Sequence, residues 1–88
     1  MQTYTDITVD IGATLINAIK EASPVQVDTL WSILKYKEIG ILRKVKCMSQ
    51  VLQLNTSAVI DELPRDDEGR LLDYKTRHII HDVLIKVS

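Results

Sequence analysis

The sequence predicts an all-α single domain of four or five helices, packed in an orthogonal or bundle-like array. Three observations predict it. Within residues 37–54, Ile41, Val45, Met48 and Leu52 recur at the spacing of a helix that buries one face. Ser23-Pro24-Val25-Gln26 has the residue types of a capped helix start, with Ser at the N-cap, Pro in the first position and Gln in the third. Residues 71–87 spread Leu72, Ile79, Ile80, Val83, Leu84 and Val87 over a broad apolar face. With 88 residues, 45% of them hydrophobic, residues 1–88 make one domain. Its core is aliphatic, because the chain has one Trp, three Tyr and no Phe.

The first element covers residues 6–22. Ile11, Leu15, Ala18 and Ala22 share one face, and Ile16 and Ile19 widen it. Asp6 and Asp10 complement the positive end of such a helix. Gly12 loosens its first turn, since glycine costs about 1 kcal/mol against alanine inside a helix. An extended arm over residues 4–9 is the alternative, because Thr, Ile and Val favour strands.

The second helix turns Val27, Leu30, Trp31 and Leu34 inward and ends near Lys35 to Lys37, where cations suit the negative end of the dipole. Gly40 is the one breaker before the third helix, so the two are read as nearly continuous or sharply bent there. Along the third, Arg43, Lys44, Lys46, Ser49, Gln50 and Gln53 are read largely off the apolar stripe. Asn55, Thr56 or Ser57 caps a short fourth helix through Ala58, Val59, Ile60 and Leu63, stopped by Pro64. Residues 65–70 form a polar loop with a turn at Gly69. The breadth of the last helix implies that it packs against more than one neighbour.

Composition narrows the function. The net charge is −1, from 11 basic and 12 acidic side chains, without the basic excess typical of nucleic-acid binders. A single cysteine, Cys47, excludes an intrachain disulfide framework and suits a reducing compartment. The first residues lack the basic and apolar regions of a signal peptide, and the apolar runs are far too short for a membrane span. A cytoplasmic setting, in a cell or in an infected host cell, is the expectation. No Gly-rich phosphate loop, nucleophile elbow or carboxylate pair at a recognisable spacing is present, so no enzyme and no cofactor is expected.

His78 and His81 stand three apart beside Asp82, a spacing that can offer two imidazoles to one metal. No second pair of ligands matches it, and the ordinary reading is two histidines bordering the apolar stripe. Asp66, Asp67 and Glu68 lack the alternating ligands and closing Glu of a calcium loop. They read as a solubilising loop or an acidic contact for a basic partner. No metal site is expected. Trp31 is expected in the core, or at an interface as an anchor.

Arg43, Lys44 and Lys46 form a small basic cluster, preceded by Lys35 and Lys37. It suits a phosphate-facing strip, an acidic-partner site or a solvated helix face. Met48-Ser49, Leu52-Gln53-Leu54 and Thr56-Ser57-Ala58-Val59 resemble the cadence of a helix-turn-helix motif. In that reading Ser49 sits where the two helices touch, Leu52 and Leu54 fill the corner, and Val59 anchors the second helix. Gln53 stands where Gly commonly permits the turn, and Glu62 where an apolar residue is expected. The helix opened by Ser23-Pro24-Val25-Gln26 is similar to the entry helix of some winged helix-turn-helix regulators. In those proteins a loop like residues 65–70 forms a wing, although no strand is evident before it here.

The resemblance implies nucleic-acid contacts from Arg43, Lys44, Lys46, Asn55, Thr56 and Ser57. Against it, Asp61 and Glu62 oppose phosphates, whose binding rests on cations. The sequence therefore favours a small non-enzymatic regulatory or adaptor protein acting through protein contacts, with the same residues as candidate contacts. It is expected to self-associate as a homodimer or higher oligomer through Ile79, Ile80, Val83, Leu84 and Val87. The alternative is a helix-turn-helix DNA-binding transcriptional regulator using residues 45–64.

Overall fold

The computed structural model of the chain describes residues 12–88. They form five helices: α1 (Ala13–Lys20), α2 (Pro24–Lys35), α3 (Ile41–Val51), α4 (Thr56–Asp61) and α5 (Asp73–Val87). The all-α architecture expected from the sequence is the one found. Asp6, Asp10, Ile11 and the proposed arm over residues 4–9 lie outside the described residues.

Gly12 stands ahead of α1, not within it, in the left-handed conformation at φ 66°, which glycine adopts without a Cβ clash. The exposed amides of the first turn are met from a distance. The Glu62 carboxylate accepts from Thr14 N and from Thr14 Oγ1, both at 2.8 Å. Gly12 N donates to Glu62 O at 2.8 Å. Leu15 and Ile19, one turn apart, then point into the core.

α2 begins as its sequence dictates. Ser23 Oγ accepts from Gln26 N at 3.2 Å, and Ser23 N donates to Gln26 Oε1 at 2.9 Å, a complete capping box. Val27, Leu30 and Leu34 face inward. The helix stops at Lys35, and residues 36–40 separate it from α3, so α2 and α3 are two helices joined by a linker and not one bent rod. Gly40 is extended and has no side chain to cap α3.

In α3, Ile41, Val45 and Met48 are buried as the cadence predicts, while Leu52 falls just past the helix and is half-buried. The end of α3 is a Schellman turn. Leu54 N donates to Ser49 O at 2.8 Å, Gln53 N donates to Gln50 O at 3.2 Å, and Gln53 takes φ 58°. A glutamine thus does the work usual for glycine, at a cost of roughly 1 kcal/mol. Asn55 caps α4 by accepting from Ala58 N at 3.1 Å. α4 ends at Asp61, and Leu63 and Pro64 are buried behind it.

The loop over residues 65–70 is a narrow hairpin, which the sequence pattern did not suggest. One antiparallel bridge joins Arg65 to Leu71. Asp66 Oδ1 accepts from Glu68 N and Arg70 N, both at 2.9 Å, and Gly69 turns at φ 82°. α5 starts at Asp73, two residues later than expected, and buries Thr76, Ile80, Val83 and Leu84. It packs against α1, α2 and α3, as its breadth implied. One aliphatic core joins all five helices. Each fully buried Leu, Ile or Met contributes about 1.5–3 kcal/mol.

Candidate interaction surfaces

The basic cluster does not survive as a strip. Arg43 and Lys46 are exposed, but Lys44 is only 1% exposed. Position 44 lies three residues after Ile41 and four before Met48, so helix geometry puts it on the buried stripe. The aliphatic stem of Lys44 packs in the core, and its Nζ donates to Leu34 O at 2.6 Å. That carbonyl belongs to the last turn of α2, where the dipole favours a cation. Burial, and then the nearby charge of Arg77, hold the amine below its ordinary value. Lys44 is therefore withdrawn as a candidate contact: its charge finishes a helix.

Glu62 is corrected in the opposite sense. It is half-buried and bonded to Thr14, so it does not stand on the surface to repel phosphates. The remaining contacts drawn from the helix-turn-helix resemblance are distributed as follows. Asn55 is exposed but its side chain is committed to the α4 cap, Thr56 is half-buried, and Ser57 is exposed. With Ala58 and Asp61 also exposed, the outward face of α4 carries no cation. Ser49 is fully buried on α3, the helix α4 packs against, and its Oγ donates to Val45 O at 2.9 Å.

The candidate oligomer face is also revised. Ile80, Val83 and Leu84 are at most 5% exposed within a single chain, taken up by its own core. They are not available to a second copy in this fold. Ile79 and Val87 are half-buried. What α5 presents outward is Tyr74 and Ile85, at 83% and 53% exposure, and neither stood out in the sequence. Ile85 lies off the buried set of 76, 80, 83 and 84, a register visible only once that set is fixed.

His78 and His81 have separate neighbours. His78 stacks on Tyr74 with centroids 6.3 Å apart, whereas His81 meets the Trp31 ring edge-on at 5.3 Å. Among the described residues no group of three potential metal ligands occurs. Trp31 is half-buried, donates from Nε1 to Ser88 Oγ at 2.8 Å and lies 5.3 Å below Lys35 Nζ. In the hairpin, Glu68 pairs with Arg70, the one ion pair among the described residues.

A shallow groove of about 340 Å³, with no counterpart in the sequence pattern, lies between α2 and α3. Thr29, Ser32 and Ile33 of α2 line it with Tyr36 just past the end of the helix, and Ile39 and Cys47 close the other side. Its walls are apolar despite two hydroxyl residues, because both hydroxyls turn back onto their own helix. Thr29 Oγ1 donates to Val25 O at 3.1 Å and Ser32 Oγ to Asp28 O at 3.2 Å. Tyr36 is 53% exposed. Arg43, exposed, stands one turn from Cys47 along α3. A larger concavity at Leu71 to His78 is lined by a single stretch of chain entering α5, not by a seam between helices.

No helix among the described residues is long and apolar enough to cross a membrane. Comparison with family models, with curated proteins and with solved structures gives no match for this chain.

Proposed function

We propose that this chain is a small non-enzymatic regulatory or adaptor protein that works through protein–protein contact. The observation that carries the reading is the shallow, exposed apolar groove between α2 and α3. Interface cores favour apolar and aromatic anchors within a polar rim, and Tyr36 offers such an anchor. The charge inventory supports the same choice. With Lys44 inside the core and no cation on the outward face of α4, few cations are left to neutralise phosphates there. The half-buried free thiol of Cys47 suits a reducing, cytoplasmic setting. Self-association enters this proposal as a competing use of exposed apolar surface, since the residues first expected to drive it are occupied.

Helix-turn-helix DNA binding is the second reading, and specific observations favour it. α3 and α4 pack against each other across a tight turn, Ser49 is buried on α3, and a hairpin with Arg65 and Arg70 follows them where a wing would stand. One experiment ranks the two. The unmodified chain and a double swap, Arg43→Glu with Lys46→Glu, are titrated with duplex DNA at low and physiological salt in a gel shift. Weak, salt-labile, sequence-indifferent binding is expected. Tight selective binding that the double swap abolishes would promote the DNA reading.

A further inference from the structure

We draw no further inference here: the strongest candidate, the groove between α1 and α5 with Ile16, Ile79 and Val83 among its lining and Lys20, Asp82 and Lys86 at its edge, carries nothing, because its charges are of both signs and nothing in the structure shows what covers it.

Discussion

The two ends of α2 are finished in opposite ways. At its start, four consecutive residues close the helix on themselves, Ser23 and Gln26 exchanging two hydrogen bonds. At its end, the Leu34 carbonyl is met by Lys44, a side chain from the next helix that is buried to do so. The start of α1 follows the second pattern, with Glu62 reaching back 48 residues to Thr14. Caps made by neighbours leave the surface charges alone. Caps made from a distance draw on them. Lys44 and Glu62 were, respectively, one cation and one anion counted on the candidate nucleic-acid face, and tertiary packing takes both away from it.

That contrast can be broken most forcefully at Lys44. Lys44→Glu would put a carboxylate against a carbonyl inside the core, and should cost about 3–5 kcal/mol, enough to unfold a domain of this size. Lys44→Met keeps most of the stem and loses only the ammonium, for about 1–2 kcal/mol. Lys46→Glu, on the exposed side of the same helix, should stay within about 0.5 kcal/mol. Urea denaturation of the three variants measures this order. Equal small losses at 44 and 46 would mean that Lys44 is solvated and the distant cap unformed.

A smaller effect sharpens the comparison. Glu62→Ala removes two hydrogen bonds from Thr14 and should cost about 1–2 kcal/mol. Ser23→Ala removes one bond of an exposed local cap, for about 0.5–1 kcal/mol. Amide exchange should tell them apart in place as well as in size. Loss of Glu62 should loosen the first turn of α1, and loss of Ser23 the first turn of α2.

The smallest expected effect is the pH response of Lys44. Its folded pKa lies below the ordinary 10.5, so the folded chain binds this proton less tightly than the unfolded chain does. Between the folded pKa and 10.5 the unfolded state holds more protons, and stability from this group rises with pH across that window. Below the window its contribution is at its lowest. The urea midpoint of the unmodified chain should therefore climb relative to Lys44→Met as pH approaches 10.5. A constant difference across that range would contradict the burial of the amine.

The legibility of the sequence follows the same division between near and far. The start of α2, the stripe of α3 and the Asn55 cap were all readable, because each is decided within a few residues. Lys44 was readable in principle from its register with Ile41 and Met48, but a lysine is ordinarily assigned to water and its stem overlooked. Glu62 was not readable, since Thr14 is a neighbour only after folding. Nor was the hairpin, which rests on one bridge and the Asp66 side chain, with no alternation of apolar and polar residues to announce it. Of the candidate surface, the exposed cations Arg43 and Lys46 were visible and the apolar groove between α2 and α3 was not. Thr29 and Ser32 count as polar in any periodic pattern, and only their hydroxyl bonds show that they turn a hydrocarbon side outward.

Trp31 has an optical consequence. It is the one indole in the chain, and it lies where α2 meets the last turns of α5, bonded to Ser88, edge-on to His81 and beneath Lys35. Its emission spectrum is thus a gauge of a single seam and not of the molecule as a whole. Fraying of the final turn of α5 would free the indole N–H to water and shift the colour of its light, while α3, α4 and the groove beside Cys47 stayed silent at that wavelength.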